Sequence, residues 1–234
     1  MKICVPIVGE TNKQILNDIE KLLDLDFDLI ELRIDYYKHV ENIEKVIDLL
    51  EEIKAINLKP LIFTFRTKNE GGMHDISEEM YFNLNKSIIK SELVNLVDIE
   101  LYHSEDEIKK LISLAHENNI KVVLSNHDFH KTPCKNEIIN RLVKMQNLNA
   151  DITKIAVMPV CEEDVLTLME ASLEMKKEKA DRPFIALSMG TMGIITRLAV
   201  SLLGSCITFA SLDDSSAPGQ INVKYAREII NILK

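Results

Sequence analysis

The feature that most constrains the fold is a repeat of short apolar segments, which recur about every thirty residues along the chain. These segments are rich in Ile, Val, Leu and Phe, and most are continuously apolar, as expected for strands covered on both faces. Longer segments with helical spacing lie between them. Strands are predicted near residues 3–8, 29–34, 61–66, 96–101, 121–126, 152–158, 183–189 and 206–210.

Two of the intervening segments show the helical pattern clearly. In ENIEKVIDLLEEIKAIN (41–57), an aliphatic stripe runs from Ile43 to Ile53, as on an amphipathic helix. In SEDEIKKLISLAHENN (104–119), Ser104 precedes Glu107 by three residues, which is the spacing of a capping box at a helix start.

Eight strand–helix pairs in one chain predict a (β/α)8 TIM barrel. No linker rich in Pro or Gly divides the sequence, so residues 1–234 are expected to form a single catalytic domain. The alternative is an open doubly wound sheet, which in nucleotide-binding proteins carries a Gly-rich turn after its first strand. Here that turn reads VGETNKQ and has one glycine, which favours the barrel.

Composition excludes several classes of function. The 28 Lys and Arg against 37 Asp and Glu give a net charge of −9, unlike a general nucleic-acid binder. The most apolar stretch, Leu198 to Leu212, contains several polar residues and is shorter than the roughly 20 residues of a membrane span. The four cysteines form no C-x-x-C pair, which indicates reduced thiols. We expect a cytoplasmic protein with no nucleic-acid or membrane partner.

Ionisable and polar residues gather at the predicted carboxyl ends of the strands. In a (β/α)8 barrel these ends meet at one rim, where active sites lie. Six strands or the loops that follow them contribute Glu31, Arg33, Arg66, Glu70, His127, Lys154, Arg197, Ser216 and Gln220.

Each of these residues also has a purely structural interpretation. Glu31 and Arg33 could form an ion pair, and Arg66 could cap its strand. Glu70, which precedes two glycines, is typical of a solvated turn. His127 could form a hydrogen bond at the end of its strand. Arg197 could pair with a helix end, and SSAPGQ at 215–220 reads as a turn before a helix. The histidines show no metal-ligand spacing, so no metal is expected.

Lys154 is the least ordinary of these residues because it lies inside the apolar run DITKIAVMPV. A lysine at a strand end can extend its amine to water. Alternatively, burial among Arg33, Arg66 and Arg197 would favour the neutral amine, which is a nucleophile. A neutral amine, a histidine and guanidinium groups suited to a carboxylate together favour imine chemistry on a keto acid.

Seven ordered segments of the chain resemble one known family. They are ELRID at 31–35, FTFRT at 63–67, EGG at 70–72, SNHDF at 125–129, KIAVMP at 154–159, SMG at 188–190 and APGQ at 217–220. In order and approximate spacing they are similar to the type I 3-dehydroquinate dehydratases of the shikimate pathway. That resemblance implies a (β/α)8 barrel, usually dimeric, that uses no cofactor and converts the small molecule 3-dehydroquinate into 3-dehydroshikimate.

The resemblance also implies roles for individual residues. Lys154 corresponds to the Schiff-base lysine, His127 to the general acid/base, and Glu70 to the carboxylate that orients the histidine. Met189 corresponds to an apolar contact with the substrate ring. The positions that hold the substrate hydroxyls and carboxylate correspond to Glu31, Arg33, Arg66, Arg197, Ser216 and Gln220.

Three expectations remain beside this interpretation. Many family members begin with a β-hairpin that closes the barrel bottom, whereas this chain begins almost at once in its first strand.

The segment from Lys68 to Ser77, with Gly71 and Gly72 as hinges, is expected to act as a lid. A class I aldolase and a non-catalytic metabolite-binding barrel are the alternative functions, although the region after strands seven and eight lacks the Gly-rich phosphate site of sugar-phosphate aldolases.

Overall fold

The computed structural model of the protein describes residues 1–212 and 219–233. All eight predicted strands are present, each with ends within two residues of the prediction. The first begins at Lys2, and the described residues contain no hairpin before it. The strands are β1 (Lys2–Ile7), β2 (Leu29–Arg33), β3 (Leu61–Thr64), β4 (Leu96–Glu100), β5 (Lys121–Asp128), β6 (Ile152–Val157), β7 (Phe184–Ser188) and β8 (Ile207–Ser211).

The eight strands close into a barrel. Neighbouring strands pair in parallel from β1 to β7, and β1 also pairs with β8. Phe184 at the start of β7 bridges Ser205, and the Cys206 N–H donates to the Phe184 carbonyl at 2.9 Å. The predicted (β/α)8 barrel is therefore confirmed, and the alternative of an open doubly wound sheet is wrong. A ninth short strand, β9 (Ile221–Asn222), pairs with β8 and was not predicted.

Helices alternate with the strands along the chain. The predicted stripe on α2 is confirmed, since Val46, Leu50 and Ile53 are buried in the main hydrophobic core together with outward-facing strand residues such as Ile30 and Val97. The helices are α1 (Asn12–Leu22), α2 (Ile43–Ile56), α3 (Glu78–Ser91), α4 (Glu105–Glu117), α5 (Lys135–Asn147), α6 (Glu162–Glu174), α7 (Ile194–Leu198), α8 (Val200–Leu203) and α9 (Val223–Ile232).

The start of α4 was predicted correctly, but its capping box was not. The Ser104 side chain makes no capping hydrogen bond, and the Ser104 N–H donates instead to the Glu78 carboxylate at 3.1 Å. Glu107 binds lysines on α3 and α4 rather than the Ser104 backbone. A capping box forms instead at α1, between Thr11 and Gln14.

The barrel interior changes from apolar to polar along the strands. Side chains two residues apart on a strand share a face, so each strand presents successive inward residues at successive heights. The lower inward positions form a second apolar cluster that includes Leu29, Ile62, Leu96 and Val123. Two residues further along the same strands lie Glu31, Thr64, Asp98 and Ser125, which are linked by hydrogen bonds. The apolar layer therefore supports a polar layer directly above it.

Two further points concern the chain as a whole. Among the described residues, no helix combines the length and the apolar character required to cross a membrane. That residues 1–234 form a single catalytic domain stays a prediction.

Candidate active site

A cavity at the carboxyl ends of the strands brings the predicted site residues together. It contains about 480 Å³ of empty space. Ser216 lies outside the described residues, and every other predicted site residue lines this cavity. These residues are Glu31, Arg33, Arg66, Glu70, His127, Lys154, Met189, Arg197 and Gln220.

Lys154 projects from the middle of β6 and is only 5% exposed. Its Nζ lies 3.2 Å from Glu31 Oε1 and 3.1 Å from Asp98 Oδ2. The same nitrogen lies 4.6 Å from the centre of the Phe209 ring, within the range of a cation–π interaction. Two carboxylates therefore compensate the charge that a buried ammonium would otherwise leave unpaired.

Arg33, Arg66 and Arg197 line the same cavity as this amine, as predicted, and Arg33 and Arg66 are paired with carboxylates. Arg33 donates through Nε and Nη2 to the two oxygens of buried Asp35, at 2.8 and 2.9 Å. Arg66 donates to Asp98 at 2.7 Å and to Glu100 at 3.0 Å. Arg33 and Arg66 are thus bound to carboxylates, and Asp98 binds both Arg66 and Lys154. The predicted effect of the arginines on the amine stays a prediction.

His127 and Glu70 form a pair on the wall of the cavity. His127 Nδ1 lies 2.9 Å from Glu70 Oε2, and the His127 backbone N–H donates to the same oxygen at 2.9 Å. Asn126 Nδ2 donates to Glu70 Oε1 at 3.0 Å, and Arg141 in turn donates to Asn126 Oδ1. Because Glu70 occupies Nδ1, Nε2 is the nitrogen of His127 that remains for a molecule in the cavity.

Burial sets the protonation of this pair. Burial and the nearby Glu100 carboxylate raise the pKa of Glu70 to about 8, against the opposing effects of Arg66 and the hydrogen bonds from Asn126 and His127. Burial, reinforced by the positive charges of Arg66, Lys154 and Arg33, lowers the pKa of His127 well below its ordinary value. His127 is therefore neutral at neutral pH and can act as a base.

The remaining walls combine one buried cation with apolar surface. Arg197 on α7 is 2% exposed, and burial lowers its pKa to about 10, so it carries a positive charge at neutral pH. Met189, Phe129, Leu187 and Phe209 provide apolar contacts. A ring bearing a carboxylate could contact both the cation and the apolar side chains of this cavity.

Strand β4 carries the polar residues that the sequence analysis missed. Asp98 and Glu100 alternate with Val97 and Ile99 on a buried strand, and both carboxylates bind Arg66. The two-residue spacing of Asp98 and Glu100 could have identified them, since Glu31 and Arg33 show the same spacing on β2. Asp35 gave no such signal, because it follows the end of its strand and its contact with Arg33 depends on the turn at Ile34–Tyr36.

Comparisons with known proteins all indicate the same protein family. A family model described as Type I 3-dehydroquinase matches residues 3–234. A 3-dehydroquinate dehydratase from Clostridium novyi is 50% identical over 233 residues, which are 99% of this chain and 92% of that protein. A solved type I 3-dehydroquinate dehydratase from Clostridium difficile, with covalent modified comenic acid, is 47% identical with a TM-score of 0.96, covering 99% of this chain and 91% of that chain. The solved 3-dehydroquinate dehydratase from Enterococcus faecalis is 41% identical with a TM-score of 0.94, covering 100% and 94%.

Proposed function

The chain belongs to the type I 3-dehydroquinase family, and on that premise we propose that it dehydrates 3-dehydroquinate through an imine formed by Lys154. The dehydration itself, a hydro-lyase reaction of the shikimate pathway, follows from the family and from relatives that match nearly the full chain. The imine and the roles of individual residues are proposed from the geometry of the cavity.

One observation carries the proposal: a buried lysine amine faces the same cavity as a neutral histidine paired with a glutamate. A buried amine can form an imine with a ketone, and the imine withdraws electrons from the adjacent carbon. The covalent modified comenic acid in the relative from Clostridium difficile supports covalent chemistry in this chain as well. The rival aldolase interpretation has no comparable support, because no phosphate-binding turn is among the described cavity walls.

The first stage consumes the substrate ketone. The Lys154 ammonium gives a proton to Glu31, which lies 3.2 Å away and lines the cavity. The neutral amine attacks the ketone carbon, and a proton moves from nitrogen to oxygen to give a carbinolamine. Glu31 returns its proton to the departing hydroxyl, which leaves as water, and a protonated imine remains.

The second stage removes the hydroxyl of the substrate. His127 Nε2 takes a proton from the carbon next to the imine, and the electrons move to nitrogen to give an enamine. The enamine expels the hydroxyl on the next carbon, and protonated His127 donates the proton with which it leaves as water. Water then adds to the conjugated imine, which releases the enone and regenerates the Lys154 ammonium.

The other cavity residues hold the substrate during these steps. We assign the substrate carboxylate to Arg197, a buried cation, and the ring contact to Met189. Arg33, Gln220 and Ser216 are assigned to the hydroxyls and carboxylate. Arg66 donates to Asp98, Glu100 and Ser125, so its main role in the proposal is to fix these groups.

The assembly and the location of the chain belong to the same proposal. By the family resemblance, it works as a homodimer in the cytoplasm and requires no cofactor. The described cysteines are free thiols, which supports a reducing compartment. Sedimentation velocity would test the dimer, since a monomeric mass at micromolar concentration would contradict it.

The test of the imine is the replacement Lys154→Met, which keeps an unbranched chain of four heavy atoms and removes the amine. Formation of the conjugated enone from 3-dehydroquinate can be followed by ultraviolet absorbance. We expect at least a 10⁴-fold loss of kcat, the upper range for a single proton-transfer group and a lower bound for a nucleophile. Lys121→Met, at the exposed start of β5, is the matched control and should retain activity. Turnover near that of the unmodified chain in Lys154→Met would exclude the imine.

A further inference from the structure

We propose that Asp98 is a further catalytic residue, which stays ionised and remains the counter-ion of the Lys154 nitrogen from the resting ammonium to the protonated imine. This inference rests on the proposed imine. It separates the two carboxylates at Lys154 by role: Glu31 exchanges the proton, and Asp98 supplies the permanent charge.

The positions of the two carboxylates support this division. Asp98 Oδ2 and Glu31 Oε1 lie at nearly equal distances from Nζ, 3.1 and 3.2 Å. Glu31 lines the cavity and so meets the entering substrate, whereas Asp98 is fully buried on β4 behind the amine. A ketone that reaches Nζ from the cavity therefore approaches Glu31 and leaves the contact with Asp98 in place.

The second oxygen of Asp98 is held by two donors. Arg66 Nη2 donates to Oδ1 at 2.7 Å, and the Ser125 hydroxyl donates to the same oxygen at 2.6 Å. This arrangement directs Oδ2 at Lys154. Burial alone would raise the pKa of Asp98, but Arg66 and Lys154, with the hydrogen bonds from Ser125 and Arg66, lower it below its ordinary value. Asp98 thus stays an anion during the proposed proton exchange at Glu31.

The remaining groups near the amine cannot replace Asp98. The Cys4 thiol on β1 interacts electrostatically with Lys154, but burial raises the pKa of that thiol well above its ordinary value, so it is neutral. His127 on β5 is also neutral, and Arg66, two residues after the end of β3, is positive. Phe209 on β8 offers only its ring face. When Glu31 is protonated, Asp98 is therefore the anion in contact with the reacting nitrogen among the described residues.

A specific consequence follows for the protonated imine. Cyanoborohydride reduces the protonated imine and not the neutral one, so the rate of covalent trapping reports how much of the cationic form is present. Neutralising Asp98 removes one of the two carboxylates beside the nitrogen, so the imine loses its proton at lower pH. The alkaline fall in trapping should therefore move to lower pH when Asp98 is neutralised.

The experiment measures trapping of 3-dehydroquinate by cyanoborohydride from pH 6 to 9, with the adduct quantified by intact-protein mass. Asp98→Asn should trap at least tenfold more slowly at pH 7, and its alkaline midpoint should fall by at least one pH unit. Asp151→Asn is the matched control, because Asp151 precedes β6 at the opposite end of the barrel, where it accepts the Val122 N–H. Its rate and midpoint should equal those of the unmodified chain.

The outcomes distinguish a failure of the imine from a failure of the role of Asp98. If the unmodified chain gives no adduct, the imine itself is refuted. If the unmodified chain is trapped and Asp98→Asn gives the same rate and midpoint, the role of Asp98 is refuted while the imine stands. If Asp98→Asn does not fold, Asp98→Glu keeps the charge for Arg66 but displaces the oxygen from Nζ. Slower trapping in that variant supports the proposal, and an unchanged rate refutes it.

Discussion

Single residues in this protein acquire their chemistry from burial and from one or two neighbours. Glu70 and His127 are the clearest case, because burial opposes charge on both and the two side chains are hydrogen-bonded to each other. Burial and Glu100 raise the pKa of Glu70 to about 8, whereas the pKa of His127 is lowered. In the proposed reaction, neutral His127 takes a proton from the carbon next to the imine and returns it to the leaving hydroxyl.

This pair predicts a pH-dependent contribution to stability. The folded pKa of Glu70 lies above its unfolded value, so its contribution is complete below about pH 4.3 and is lost as pH rises through about 8. His127 acts in the opposite sense, and its contribution is lost only as pH falls below about 6.5. Between pH 7 and 9, Glu70 therefore dominates the change.

Glu70→Gln should remove this loss. The free energy of unfolding of the unmodified chain, relative to that of Glu70→Gln, should fall by more than about 1 kcal/mol between pH 7 and 9. Urea denaturation at a series of pH values measures this difference. Glu117→Gln, at the exposed end of α4, should give a curve parallel to that of the unmodified chain. Parallel curves for Glu70→Gln as well would contradict a raised pKa.

Residue types and spacing predicted which side chains meet in the cavity, but not how they pair. Lys154 stands out in sequence because a charge inside an apolar strand requires a partner. The partners Glu31 and Asp98 are 123 and 56 residues away, so their pairing depends on the register of the strands. The same dependence explains why Arg66, predicted as a substrate contact, is bound to protein carboxylates.

At the scale of an element, the segment that follows β3 shows how a loop is fixed to the site. Gly71 has φ +87°, and a Cβ on it would lie 2.3 Å from the Phe129 ring. A Cβ on Gly72 would lie 1.8 Å from the Arg66 carbonyl oxygen. The two glycines are therefore required for close packing over the cavity. Their predicted role as hinges of a lid stays a prediction.

Asp35 connects this segment to the site. Its carboxylate holds both Nε and Nη2 of Arg33 and also accepts the Met73 N–H at 3.1 Å. Its backbone carbonyl lies 2.8 Å from His74 Nδ1. A fully buried aspartate thus fixes Arg33 and the end of the Gly-containing segment together.

Asp35→Asn should therefore weaken substrate binding. The amide replaces one acceptor with a donor, so Arg33 loses one of its two hydrogen bonds in either orientation. The backbone N–H of Met73 or of Arg66 loses its acceptor as well. We expect kcat/KM to fall by about tenfold to a hundredfold, about 1.4–2.8 kcal/mol, mainly through KM. Asp48→Asn, on the exposed side of α2, should leave both constants unchanged. Steady-state kinetics by enone absorbance measures the effect, and an unaltered KM in Asp35→Asn would contradict it.

Elements differ in how far their sequences predict them. Strands were located well, because burial on both faces requires apolar runs. The predicted capping box at Ser104 does not form, because the Ser104 N–H donates to Glu78 of α3 and Glu107 pairs with lysines. Local spacing could not reveal these tertiary competitors. Strand β9 has only two residues and carries no pattern of its own.

At the scale of the whole molecule, the repeated segments form the strands of a barrel, and their inward-facing side chains lie in layers. The lower layer is apolar, and the next layer holds Glu31, Asp98 and Lys154 from three different strands. The ring of parallel strands fixes these side chains at one height, and their separation in sequence does not matter. The eightfold repeat predicts this architecture, whereas the contacts across the ring require the closed structure.

The central claim is that the amine of Lys154 forms the covalent intermediate. Borohydride reduction during turnover of 3-dehydroquinate, followed by mass-spectrometric peptide mapping, tests it most directly. We predict one substrate-dependent adduct, on the peptide that contains Lys154, with fragment ions that place the added mass on that residue. An adduct on another lysine, or no substrate-dependent adduct, would contradict the mechanism.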